Sequence, residues 1–342
     1  MARILIRADA TAAMGTGHVM RCLALVETLL SRGHECLFAM AETTPAIGAL
    51  LAKRAIAVEP LPGPGGSEQD LAALLALAAD AIVIDGYHFN GLYRAGLAAA
   101  KCPVLAWDDG GPPIPLHATL VVNASSAARA EDYAVRAPAA QLLLGPAYLP
   151  LRREIRGLLG ADRAAHGPLL LTFGGSDPLG LTGPVLLGLA PHLGGRIEAV
   201  LGGSVADPGP AEAAAAAYPD QIRLHRDTPR LGELMLAARL AVSAAGGTLA
   251  ELAALKTPSI LVAVADNQID GARLSAGHGW CVALDGRAED AVAQIVAATL
   301  ALWADAPRRA AMTKAAVGLV DGGGPDRLAD ALEAVLANFT QT

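Results

Sequence analysis

The feature that most constrains this chain is a strand, helix, strand alternation that runs once through each half. Arg3 to Ala8 reads as a strand, Val19 to Arg32 as a helix and Glu35 to Met40 as a second strand. These strands are apolar along most of their length, which suits strands buried on both faces of a parallel sheet and joined through covering helices. The alternation continues through strands at Ala57 to Leu61, Ala81 to Ile84, Val104 to Trp107, Leu120 to Val122 and Gln141 to Leu144. Between Tyr148 and Pro168 the pattern loosens into a short charged segment with Gly160, Gly167 and Pro168, the punctuation of an inter-domain joint. A second alternation then has strands at Leu169 to Phe173, Arg196 to Leu201, Ile222 to His225, Leu240 to Ser243 and Ser259 to Val264, with helices from about Asp266, Arg287 and Pro307 behind them.

Two doubly wound α/β domains follow, and 342 residues suffice to give each its own core. The expected boundaries are 1–155 for an N-terminal Rossmann-like domain, 156–325 for a second one, and 326–342 for a closing helix that packs back on the first. Such folds bind ligands where strand carboxyl ends meet helix amino ends, so the expected active site is a cleft between the two halves.

Bulk properties remove several function classes. The chain is 53% hydrophobic and 17% charged, which argues for packed cores and against disorder. Its net charge is -7 and its basic residues are scattered, so no phosphate-tracking stripe for nucleic acid is visible. Apolar runs such as Ala72 to Ile84 break before the ~18 residues that a membrane span needs, and the first residues carry no secretory pattern. A cytoplasmic protein without membrane or nucleic-acid partners is expected. Cys22, Cys36, Cys102 and Cys281 lie far apart without clustered histidines, so reduced thiols are expected rather than a zinc site or a disulfide framework.

Four turns could carry chemistry. The first, Asp9 through Gly15-Thr16-Gly17-His18, leads into a helix containing Arg21. Its glycines let the backbone pass close under a ligand, and the helix start offers free N–H groups. A dinucleotide fingerprint would need a third glycine where Met20 stands. His18 either caps or bridges this helix start or takes a proton from a nucleophile, and spacing alone does not choose. The second turn, Phe173-Gly174-Gly175-Ser176-Asp177, opens the second half. The third, Gly246-Gly247-Thr248, leads into a helix carrying Glu251, and Asn267-Gln268 follows the next strand. A diphosphate fits that helix start, while Glu251 is either a ribose ligand or a solvated surface residue. No phosphate loop with a lysine is present. The fourth group, Asp85-Gly86-Tyr87-His88 and Asp108-Asp109-Gly110, stands at strand ends. Paired carboxylates there suit a metal or ordinary turn chemistry, and without further acids no metal is expected.

Taken in order, Gly15 to Arg21, Asp85-Gly86-Tyr87, Asp108-Asp109, Asn123, Gly145 to Glu154, Gly174 to Asp177, Gly246 to Glu251 and Asn267-Gln268 resemble the PseG family. Its members are UDP-2,4-diacetamido-2,4,6-trideoxy-β-L-altropyranose hydrolases of pseudaminic acid biosynthesis. The resemblance spans nearly the whole chain. The second half is also similar to MurG and other glycosyltransferases of the GT-B fold, which share the Gly-Gly-Thr-to-Glu element. Gly86 and the loop Gly110-Gly111-Pro112-Pro113 depart from the family pattern.

The resemblance implies a GT-B-like fold of two Rossmann-like domains facing across a cleft, no cofactor, no metal, a UDP-sugar substrate and a monomer. It implies that His18 is the base for displacement at the anomeric carbon with inversion, and that Tyr87 lies beside the sugar, with Asp109 and Asn123 also holding it. Gly15, Gly17 and Arg21 belong to the same binding set, while Gly175, Ser176, Gly246, Gly247, Thr248, Glu251, Asn267 and Gln268 would hold UDP. Two rivals remain: a GT-B glycosyltransferase in which His18 activates an acceptor hydroxyl, and a non-catalytic sugar-nucleotide binding protein.

Overall fold

The computed structural model describes residues 1–11, 14–111, 113–163 and 166–339. Ala12 and Ala13 of the first turn and Pro112 of the departing loop lie outside the described residues. The chain divides by contact into Met1–Arg153 with Gly322–Thr342, and Glu154–Asp321.

The first unit holds a seven-stranded parallel sheet in the order β3-β2-β1-β4-β5-β6-β7. Its strands are β1 (Arg3–Ala8), β2 (Glu35–Met40), β3 (Ala57–Pro60), β4 (Ala81–Asp85), β5 (Val104–Trp107), β6 (Leu120–Asn123) and β7 (Gln141–Leu144). The order reverses direction between β1 and β4, which leaves a crevice at their carboxyl ends. Ile4, Ile6 and Ala8 of β1 pack toward the helix Gly17–Ser31, and Leu5 packs on the other face with Ile82 and Ile84 of β4. That period-two division explains the apolar runs read from sequence.

The last helix, Gly324–Phe339, belongs to this unit. Leu328 and Leu332, four residues apart and fully buried, join the core formed by the helix Gly17–Ser31 and the sheet. Burying two leucines stabilises the unit by roughly 1.5–3 kcal/mol each. Arg32 fixes the helix's register through Asp326, Asp330 and Glu333, and His34 Nε2 pairs with Glu333 at 2.9 Å.

The second unit repeats the plan with six parallel strands in the order β10-β9-β8-β11-β12-β13. They are β8 (Leu169–Thr172), β9 (Ile197–Leu201), β10 (Ile222–Arg226), β11 (Leu240–Ala244), β12 (Ser259–Ala263) and β13 (Cys281–Asp285). The edge strand β13 does not stand out in the sequence because its five residues, Cys281–Asp285, show too little pattern to separate them from the neighbouring helices. The direction change here lies between β8 and β11. The four cysteines are free, and burial pushes the Cys36 and Cys281 thiols up to about 12. No helix among the described residues is long and apolar enough to cross a membrane.

Candidate active site

In the first unit the direction change brings the turn after β1 against the end of β4. Gly15 takes a positive φ of 79°, which only glycine adopts without strain, and its N–H closes on the Thr11 carbonyl at 2.8 Å. That closure delivers Gly17 as the first residue of the helix and His18 as the second. Thr16 gives the helix no side-chain cap, so first-turn N–H groups are left to other partners.

His18 is buried, with 7% of its side chain exposed, and its Nδ1 lies 2.8 Å from Asp85 Oδ1. Burial alone would raise the Asp85 carboxyl. The charge of Arg21 and the hydrogen bonds from Arg21 and His18 outweigh it and hold the acid well below the ordinary carboxylate range. An ionised Asp85 can only accept, so Nδ1 of a neutral His18 carries the proton and Nε2 is left as a proton acceptor.

Arg21, three residues after His18, stands on the same helix face. It donates from Nε to Asp85 Oδ2 at 2.5 Å and from Nη2 to Asp85 Oδ1 at 2.6 Å. From Nη1 it reaches Asp109 Oδ1 and Oδ2 at 2.7 and 2.9 Å. Tyr87, 57% exposed, stands edge-on to the imidazole with ring centroids 4.7 Å apart and donates its hydroxyl to Asp109 Oδ2 at 2.7 Å. His18, Arg21, Tyr87 and Asp109 thus form one constellation. Asn123 belongs to another: its Nδ2 donates to the Tyr133 hydroxyl at 2.9 Å, its Oδ1 accepts from Ser125 N–H at 3.0 Å, and Tyr133 in turn donates to Asp108.

The sequence assigns Asp85 no role of its own: it is one of the strand-end acids that suit a metal or turn chemistry, within the Asp85-Gly86-Tyr87 stretch of the resemblance. The signal was present as a repeat, because three adjacent strands run out on aspartate: Ile6-Arg7-Ala8-Asp9, Ile82-Val83-Ile84-Asp85 and Leu105-Ala106-Trp107-Asp108. Each acid has its own guanidinium. Arg7 grips Asp9 and Asp70, Arg21 grips Asp85, and Arg136 grips Asp108 at 2.9 and 2.7 Å. His88 joins the first pair, its Nε2 2.9 Å from Asp9. Among the described residues no group of three or more His, Cys, Asp or Glu is placed to hold a metal ion.

The second unit furnishes its direction change differently. Gly174 and Gly175 follow β8, and Gly175 accepts from Ser204 N–H at 3.0 Å. Gly202 packs so closely there that a Cβ would lie 2.4 Å from the Gly175 backbone. Ser176 is half-buried, and Asp177 turns inward to cap the helix Thr182–Leu189 through Leu181 N–H, Thr182 N–H and Thr182 Oγ1. After β11, Gly246 and Gly247 precede the helix Thr248–Ala254. Thr248 Oγ1 donates to Ala244 O at 3.0 Å and contacts Ser243 Oγ at 2.8 Å, which fixes the helix start. Glu251 is buried one turn further in, unlike a solvated surface residue. Gln268 Oε1 accepts from Val264 N–H at 3.0 Å, and its Nε2 lies 3.6 Å from where a Gly246 Cβ would stand. The turns after β11 and β12 therefore meet, while Asn267 is exposed.

No protein-family model and no curated protein matches this chain. Solved structures do match. MurG of Acinetobacter baumannii aligns over 98% of this chain and 100% of its own at 16% identity, with a TM-score of 0.67. The two sheets, their strand orders and this likeness agree. The fold is GT-B. The spinosyn rhamnosyltransferase SpnG complexed with thymidine diphosphate aligns over 97% of this chain and 100% of its own at 18% identity, TM-score 0.66. The glycosyltransferase VinC in complex with dTDP covers 98% and 100% at 14% identity, TM-score 0.62. At these identities the likeness is one of fold, and function is argued from the site.

Proposed function

We propose that this chain catalyses displacement at the anomeric carbon of a nucleoside-diphosphate sugar, with His18 as base and water as nucleophile. The observation that carries the reading is the His18–Asp85 pair at the direction change of the first sheet, 2.8 Å apart and buried. Nε2 of His18 accepts a proton from water as its oxygen attacks the anomeric carbon. The carbon–oxygen bond to the diphosphate breaks on the opposite face, its electron pair leaves on the β-phosphate, and configuration inverts. Asp85 stabilises the imidazolium that forms. Tyr87, beside the imidazole, and Asp109, which accepts from the Tyr87 hydroxyl, hold the sugar. Developing phosphate charge is met by the Gly246-Gly247-Thr248 helix start and the Gly174-Gly175-Ser176 turn, and Glu251 takes the ribose hydroxyls. The resemblance of the residue pattern to the PseG family supports UDP and a diacetamido-trideoxy sugar as the substrate's two parts.

A second reading has the same displacement with an acceptor hydroxyl in place of water. The likenesses among solved structures support it better than hydrolysis, since SpnG and VinC are named as glycosyltransferases. The residue pattern around His18 supports water, as does the 7% exposure of its side chain, which favours a small nucleophile. A panel of UDP- and dTDP-sugars incubated without acceptor separates the two. Hydrolysis gives nucleoside diphosphate and free sugar in equal amounts. Release that begins only when an acceptor alcohol is added establishes the transferase reading, and no release under either condition overturns both.

A further inference from the structure

We propose that Arg21 sets the charge state and aim of the His18–Asp85 pair, acting through Asp85 as a positioning residue rather than by touching substrate. The proposal rests on His18 being the base. Nε, Nη1 and Nη2 of Arg21 are all committed to carboxylates within the unit, and its guanidinium carbon lies 4.9 Å from the Trp107 ring centroid. A guanidinium held on four sides is poorly placed to follow a ligand.

Its position relative to His18 is what matters. Nη2 of Arg21 and Nδ1 of His18 both meet Asp85 Oδ1, at 2.6 and 2.8 Å, and lie 3.4 Å from each other. An unshielded aspartate beside a histidine favours the imidazolium, which has no lone pair with which to take a proton. A permanent cation on the same oxygen offsets that preference. It leaves Asp85 ionised, so that Asp85 still orients the ring, and from 3.4 Å away it opposes a second positive charge on the imidazole. Arginine suits the task because its fork engages both oxygens and its charge does not titrate in water.

The other groups that face the pair fit this balance. Cys22, on the same helix, places its thiol 3.7 Å from Asp85 Oδ2. Tyr87, beyond β4, covers the ring, and Asp109, beyond β5, anchors the far side of Arg21. Arg94, buried behind Gly86, adds a second cation that feels Asp85. Burial raises the Asp85 carboxyl, but the Arg21 charge and hydrogen bonds outweigh it.

The test follows ring protonation of His18 by NMR on the substrate-free, histidine-labelled protein, and separately the acidic limb of kcat/KM. In Arg21→Gln both are expected to move to higher pH, by about one unit or more. Arg21→Lys restores the position of the acidic limb while kcat stays below wild type, because the bidentate grip is lost. If Arg21→Gln does not fold, Asp109→Asn reads the same balance in the opposite sense and moves ring protonation to lower pH. Unchanged ring protonation in the folded variant, or movement in the contrary direction, overturns the proposal. Should the ring respond as expected while His18→Asn retains full turnover, the coupling stands and the base assignment fails.

Discussion

The two units share one plan and equip it in opposite ways. Around the direction change of the first sheet stand carboxylates gripped by guanidinium groups: Asp9 with Arg7, Asp85 with Arg21 and also in contact with His18, and Asp108 with Arg136. Around that of the second stand glycines, a threonine hydroxyl and the N–H groups of a helix start, with Asp177 turned inward as a helix cap and Glu251 buried. Side-chain ion pairs hold a proton acceptor in one protonation state and one orientation. Backbone amides hold an anion without titrating. A division of labour is the expected consequence: variants of the first unit should act on kcat and on acid stability, and variants of the second on KM.

The largest expected effect in free energy is on stability in acid. Burial works against ionisation of Asp9, Asp85 and Asp108, yet their arginine partners and hydrogen bonds pull all three carboxyls below the ordinary value near 3.8. A depressed acid contributes stability above its unfolded value and loses it as pH falls through its folded one. Pepsin cleavage mapped at pH 3 should therefore open the first unit before the second. Simultaneous opening would break the contrast.

Asp85→Asn comes next. With the ring no longer held by a charge, kcat should fall by roughly tenfold to a hundredfold while KM changes little; a selective rise in KM would instead place Asp85 in binding. Gly202→Ala sharpens the other side. A methyl 2.4 Å from the Gly175 backbone must displace the Gly174 to Ser176 turn, and KM for the nucleotide sugar should rise by about tenfold with kcat retained. Smallest is Thr248→Val, which removes the bonds to Ala244 O and Ser243 and should raise KM by about threefold.

Much of the fold was legible because buried parallel strands leave unbroken apolar runs, as at Leu169–Thr172 and Leu240–Ala244. β13 was not, since five residues of an edge strand carry little pattern. In the site, His18 and the Gly-Gly-Thr turn could be read because they sit at turns beside glycine. Asp85 was hidden because its role depends on β4 lying next to β1, a neighbour relation that local sequence does not encode. Asn123 shows the converse, a polar strand end whose amide is committed to Tyr133 and Ser125 inside its own unit.

If the first unit performs the chemistry through His18, loss of its imidazole lowers turnover and spares binding. Nucleotide-sugar binding by calorimetry and turnover by product release, compared in wild type and His18→Asn, test it most directly. A dissociation constant within a few-fold of wild type and turnover reduced by about 10²-fold or more are expected. Turnover at the wild-type rate in His18→Asn would contradict that role of His18.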